Sequence, residues 1–283
     1  MRHVNIIGAG RVGQTLGRLL VDSKRFKIGG VLNQDISSSQ KAIEFIGEGS
    51  CIVDWCALPV ADVTLITTPD DKIASVVLQL ATHATWRSGD IVLHCSGLYT
   101  SDSLNALRAK GCWVASVHPL RSFAVPCLSV QAYPGTFCAI EGDASALPLL
   151  HEWFAAIGSV PFNIPKAGKA LYHAGGVFAS NYLITLAVEA KTCFEAAGIE
   201  PGLVTDLISQ LMQSAVTNLR VSGMFCESLT GPLARGDLAT VKSHLTALPS
   251  EQRELYKILA KATLPMTKLT ALQRNDLTAV LNQ

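Results

Sequence analysis

Three segments of the chain carry side chains able to move a proton or hold an anion. His118-Pro119-Leu120-Arg121 follows an apolar run. An imidazole titrates near neutrality, so His118 can donate a proton or orient a substrate. Arg121 can grip a carboxylate with two parallel donors. A structural histidine, bonded to a neighbouring loop, fits the same residue equally well. Further on, Lys169, His173, Ser180 and Asn181 are spaced along a helical period. Lys169 and His173 lie one turn apart on one face, and Asn181 roughly shares it. A lysine or histidine there can protonate the oxygen or nitrogen left as a hydride arrives, and an asparagine can hold the substrate. A helix-packing network is the competing reading, with Tyr172 and Asn181 satisfying backbone groups and Ser180 bonding back to its own helix. Arg235, inside Thr230-Gly231-Pro232-Leu233-Ala234-Arg235-Gly236-Asp237, can reach an anion or pair with Asp237. His118, Lys169, His173 and Asn181 are thus the catalytic candidates, and Arg121, Ser180 and Arg235 the substrate-binding ones.

A second set of residues suits a nucleotide. Val4 to Ile7 reads as a buried strand, Gly8-Ala9-Gly10-Arg11-Val12-Gly13 follows at once, and Gln14 to Val21 continues as a helix. Gly8 permits a tight turn, Gly10 lets the backbone approach a pyrophosphate, and Gly13 lets helix and sheet lie close. Arg11 can meet a phosphate, and Val12 stands beside it in the cofactor-binding turn. The second strand ends in Asn33 rather than an acid, so nothing at that tip repels a 2′-phosphate, and Ser37 can donate nearby. This favours NADP over NAD. Thr68-Pro69 and Ser96 close two further strands at the edge where such sheets bind ligands.

These residues need a scaffold, and the first half of the chain supplies one. Strands at Phe26–Leu32, Asp62–Thr67, Asp90–Cys95 and Trp113–Val117 alternate with helices at Ser37–Ile46, Asp70–Leu80 and Ser101–Ala109. That rhythm predicts an α/β, Rossmann-like, mostly parallel sheet. Phe137–Ile140 and Val160–Ile164 add strands, and a serine is expected to cap the helix at Ser37. Ala124 to Gly135, holding Pro126 and Pro134, reads as irregular, a lid or wall of the site. After Pro165 the pattern becomes helical: Lys166–Ala197 as one helix, then Pro201–Val221, Asp237–Ala247, Ser250–Leu264 and Thr270–Val280. Two domains follow, 1–165 Rossmann-like and 166–283 all-helical.

With 283 residues and a net charge of +1, the chain has no steering field for nucleic acid. No stretch reads as a membrane span and no signal peptide precedes the first strand, so a cytoplasmic protein is expected. The eight cysteines form no CxxC pair. They are expected to be reduced and mostly buried, with no metal site.

Taken together, Gly8 to Gly13, Thr68-Pro69-Asp70-Asp71, His94-Cys95-Ser96-Gly97, His118-Pro119-Leu120-Arg121-Ser122-Phe123, Tyr172 to Tyr182 and Leu229 to Asp237 resemble the Rossmann-like proteins with a helical C-terminal domain of the DUF2520 type. The resemblance spans nearly the whole chain. It implies an NADP-dependent oxidoreductase that moves hydride to or from a small carbonyl or imine compound. More distantly the layout is similar to pyrroline-5-carboxylate reductases, ketopantoate reductases and β-hydroxyacid dehydrogenases, which implies a homodimer through the helical domain. Gln34 departs from the arginine such relatives often carry after the second strand, and His173 stands where the β-hydroxyacid dehydrogenases carry an asparagine. An NADP-binding regulator or sensor without turnover, or a structural homodimer with a vestigial cleft, is the alternative.

Overall fold

A computed structural model describes residues 1–283. The chain divides into two compact units, Met1–Ser180 and Asn181–Gln283. The first is built on an eight-stranded sheet. Its strands are β1 (Arg2–Ile7), β2 (Phe26–Leu32), β3 (Ser50–Cys51), β4 (Val63–Ile66), β5 (Ile91–His94), β6 (Trp113–Pro119), β7 (Phe137–Gly142) and β8 (Val160–Asn163). The spatial order is β3-β2-β1-β4-β5-β6-β7-β8. All neighbours are parallel except β6 and β7. The helices are α1 (Arg11–Asp22), α2 (Ile36–Ile46), α3 (Asp70–His83), α4 (Asn105–Arg108), α5 (Pro126–Gln131), α6 (Leu147–Ala156) and α7 (Lys169–Gly176).

A parallel strand covered on both faces must be apolar along its whole length. In β1, Val4, Asn5, Ile6 and Ile7 are all buried. Ile6 packs with Leu16, Ile46 and Leu93 on one face, while Ile7 packs with Ile66, Leu80 and Val92 on the other. Each such aliphatic side chain contributes about 1.5–3 kcal/mol on burial. The sheet reverses direction of growth between β1 and β4, so the carboxyl ends of those two strands leave a crevice.

The second unit is helical: α8 (Tyr182–Ala196), α9 (Pro201–Ser222), α10 (Phe225–Ser228), α11 (Pro232–Arg235), α12 (Leu238–Ala247), α13 (Ser250–Thr263) and α14 (Ala271–Leu281). Its core gathers Val241, Ala260, Leu264, Leu277 and Leu281. Thr270 opens α14 with a capping box shared with Gln273. By contrast α8 buries no residue, and α9 buries only Val204 and Ile208. No helix is long and apolar enough to cross a membrane.

Five expectations are corrected. The helix after Pro165 is not continuous: a 3₁₀ turn at Lys166–Gly168 precedes α7, and a π turn at Val177–Asn181 separates α7 from α8. Gly175 and Gly176, poor helix formers, stand just before that turn. Consequently Lys169–Gly176 belongs to the α/β unit. The segment after Ala124 is not irregular throughout, because α5 forms there and Tyr133 is fully buried, its hydroxyl 2.8 Å from Ser159 Oγ. The cap of α2 is Asp35, whose carboxylate accepts from the Ser38 N–H at 2.7 Å. The cysteines are free, but only Cys112 and Cys138 are buried, while Cys56 and Cys127 are exposed. The short β3 and a turn at Trp55–Ala57 went unforeseen, being too brief to show periodicity.

Candidate functional site

The glycine turn is held open from both sides. Gly8 has φ +82°, a conformation that favours glycine, and a Cβ there would lie 2.4 Å from Thr68 Cγ2. A Cβ on Gly13 would lie 2.4 Å from Thr67 Oγ1. That hydroxyl donates to the Gly8 carbonyl at 2.8 Å, stitching β4 to the turn. Asn33 Oδ1 accepts from the Ala9 N–H at 2.6 Å, which fixes the turn from the tip of β2. Gly10 is different. A Cβ there would meet only the Gly8 carbonyl, 4.0 Å away, so its outer side faces open space. The first amides of α1 have no partner within the helix. They edge a cavity of about 970 Å³.

Gly8, Gly10, Arg11, Val12, Thr68 and Pro69 all line this cavity, as does Asn33. Ser38 lines it and Ser37 does not, because Asp35 turns the helix one residue early. Thr68 Oγ1 is buried without a partner. A buried hydroxyl left unbonded costs about 1–3 kcal/mol, so an orphan on a residue that lines a cavity points to a group that completes it.

A second cluster forms where β5, β6 and α7 meet. His94, Ser116 and Glu141 stand side by side across three strands. All three are buried. His94 Nδ1 accepts from the Ser96 N–H at 3.2 Å, so its Nε2 proton goes to the Thr100 carbonyl at 3.1 Å. Burial lowers its pKa to about 4, and it stays neutral. Glu141 accepts from the Ser101 N–H at 2.6 Å and the Ser101 hydroxyl at 2.8 Å. Lys169 lies over this row, only 3% exposed. Its ammonium donates to the Ser96 carbonyl at 2.9 Å and to Ser116 Oγ. Desolvation pulls its pKa down to about 8, partly offset by the charges of Glu141, Cys95 and Asp70. Lys169 therefore anchors α7 to the ends of β5 and β6.

One turn further, α7 presents Tyr172 and His173. The Tyr172 hydroxyl lies 2.9 Å from His118 Nδ1, with the rings edge to face at 5.5 Å. The His118 and His173 rings are 6.1 Å apart. Gly97 makes the space: a Cβ there would lie 2.6 Å from His173 Nδ1 and 3.0 Å from His118 Nε2. Burial, followed by the nearby Lys169 ammonium, lowers the His118 pKa to about 4. Burial raises the Tyr172 pKa to about 12. At neutral pH an uncharged phenol thus faces an uncharged imidazole. Ser96 stands apart from the cavity wall; its hydroxyl donates to Asp70 at 2.7 Å and accepts from the Leu98 and Tyr99 amides.

The structure thus brings His118, Lys169 and His173 together. Arg121 is exposed just past β6, and Ser180 is exposed in the π turn. Asn181 and Arg235 belong to the second unit, both exposed. Arg235 makes no ion pair with Asp237, whose carboxylate caps α12 through the Thr240 N–H at 3.0 Å. The sequence alone marks Tyr172 as a helix-packing partner. Its i+3 spacing from Lys169 was the signal that placed it on the same face.

A Rossmann-like domain family matches residues 1–119, and the family described as a domain of unknown function (DUF2520) matches residues 136–263. No curated protein matches the chain. Among solved structures, protein TM1727 from Thermotoga maritima is 28% identical with a TM-score of 0.72, over 94% of this chain and 98% of that one. An imine reductase from Myxococcus stipitatus in complex with NADP+ is 15% identical with a TM-score of 0.64, over 98% and 94%. A pyrroline-5-carboxylate reductase from Coxiella burnetii is 15% identical with a TM-score of 0.59, over 99% and 96%. The last two likenesses speak for the fold. With its glycine turn, its strand order and both family matches in register, the chain is a Rossmann-like N-terminal domain fused to a DUF2520 domain.

Proposed function

We propose that this protein binds NADP(H) in the cavity beside Gly10 and transfers hydride to or from a small carbonyl or imine compound. The observation that carries the reading is the cavity itself. It joins an open glycine face, a helix N-terminus and the orphaned Thr68 hydroxyl, three features that suit a bound dinucleotide. The solved imine reductase of the same fold holds NADP+, which favours NADP over NAD.

The cofactor supplies the redox chemistry. The chain supplies position and a proton. With its proton on Nδ1, His118 donates to the Tyr172 oxygen and leaves the hydroxyl proton for the substrate oxygen or nitrogen. As Tyr172 gives that proton up, the His118 N–H stabilises the phenolate. Lys169 acts by positioning, since its own protons are committed to Ser96 and Ser116. Arg121 is assigned to an anionic group of the substrate.

The second unit is assigned to pairing with a second copy of the chain. Ile184 and Val188 on α8 are 65% and 55% exposed, and Leu211 and Val221 on α9 are 60% and 83% exposed. Exposed large apolar side chains of this kind suit an interface. Light scattering on the purified protein should give twice the chain mass.

Titration with NADPH and with NADH, followed by nicotinamide fluorescence, tests the main reading. Selective binding of NADPH is expected. Gly10→Val has an accessible backbone, φ −78°, and empty space for its side chain. It should fold normally yet weaken NADPH binding on the order of a hundredfold. Equal affinity of the variant and the parent would sink the assignment of the cavity.

A further inference from the structure

The cavity beside the glycine turn is also lined by a cation that no strand-tip motif announces. Lys72, Ser75, Val76 and Gln79 of α3 all line the cavity. Their spacing puts them on one stripe of the helix. Facing them are the tip of β2, with Asn33, Gln34 and Asp35, and the indole of Trp55. Charged side chains enter this lining at three places only: Arg11, Asp35 and Lys72. Asp35 is held as an anion, because the Ser38 hydroxyl and amide bond its carboxylate at 2.6 and 2.7 Å and lower its pKa. Gln34 brings no charge. A phosphate seated beside the β2 tip therefore meets one anion, and it needs a cation from elsewhere. Arg11 begins α1 next to Gly10, where the helix end already serves the diphosphate. Lys72 is half exposed and paired with Asp71 at 3.1 Å. Such an exposed pair is worth little and its lysine is easily redirected.

We infer that Lys72 reads the 2′-phosphate of NADP(H), standing in for the cation missing after β2, while Trp55 and Val76 flank the adenine. This rests on the reading that the cavity takes a dinucleotide. It makes Lys72 the residue that separates NADP(H) from NAD(H). Lys72→Met, a swap between good helix formers at an exposed site, keeps α3 intact.

The test titrates the full-length protein and two variants with NADPH and NADH, read by fluorescence. Lys72→Met should weaken NADPH at least about tenfold and NADH less than about twofold. Arg11→Met should weaken both alike. Adenosine 2′,5′-bisphosphate should raise the melting temperature of the parent and lose that effect in Lys72→Met. Parallel losses for NADPH and NADH in Lys72→Met, or no loss at all, would overturn the inference while leaving the cavity assignment standing. A parent protein that binds neither nucleotide would overturn both.

Discussion

The glycine cradle and the His118–Tyr172 cluster lie at the same edge of one sheet, yet they are built on different principles. The cradle is made of backbone. Gly8, Gly10 and Gly13 fall within six residues, and the side chains that brace the turn, Thr67 and Asn33, do so by bonding main-chain atoms. The cluster is made of side chains drawn from β5, β6, β7 and α7, buried in a row and held mostly uncharged. A backbone cradle tolerates any cofactor of the right shape. A buried side-chain cluster favours the uncharged state of its imidazoles and phenol. Binding and chemistry should therefore separate under mutation.

The largest expected separation comes from Tyr172→Phe. Removing the hydroxyl takes away the proposed proton donor and leaves His118 Nδ1 without its partner. Turnover should fall about 10²–10⁴-fold. The dissociation constant for NADPH should stay where it was, because Tyr172 is not part of the cavity wall. Steady-state rates and a fluorescence titration on the same sample decide this. A variant that loses affinity in proportion to its rate would merge the two regions into one.

The next contrast is in acid. His94 and His118 have folded-state pKa values near 4, against an ordinary 6.5. Between those pH values the unfolded chain binds more protons than the folded one. Stability is thus full above pH 6.5 and is lost progressively as pH falls toward 4. Each histidine accounts for roughly 2–3 kcal/mol at the end of that window. Replacing His118 by Gln should flatten the decline by about one such share, while Gly10→Val should leave its slope untouched. Melting temperatures recorded from pH 7 to pH 4 give the answer, and an unchanged slope in His118→Gln would refute the buried neutral state.

How much of this could be read in advance follows the same division. Strand and helix rhythm predicted the sheet, and β2 falls on Phe26–Leu32 as expected, because a doubly covered parallel strand is mostly apolar, with Lys27 its one exposed position. The cradle was legible because its residues are adjacent. The partnership of His118 with Tyr172 was not, since their separation of 54 positions carries no periodic signal. Lys169 and His173 were found by helical spacing, but spacing is silent on direction, and Lys169 turned out to point into Ser96 and Ser116. The break between α7 and α8 escaped notice because a π turn keeps the apolar pattern of a helix while shifting its phase. Asp35 displaced the expected serine cap since its carboxylate, two residues earlier, accepts from the Ser38 N–H.

The smallest effect is also the sharpest test of the cradle. Thr67 and Thr68 are neighbours with opposite accounts. The Thr67 hydroxyl is committed to the Gly8 carbonyl, so Thr67→Val should cost about 1 kcal/mol of stability and leave a buried carbonyl less satisfied. The Thr68 hydroxyl is buried with no partner. Replacing it by a methyl of the same shape removes an unmet donor, so Thr68→Val should be neutral or up to about 1 kcal/mol more stable in the free protein. Its affinity for NADPH should drop severalfold, because a ligand is what completes that hydroxyl. Chemical denaturation of both variants without nucleotide, paired with NADPH titrations, reads the two effects independently. If Thr68→Val lost stability as Thr67→Val does and bound NADPH unchanged, the orphan would belong to the fold and the cradle would lose its clearest mark of a ligand.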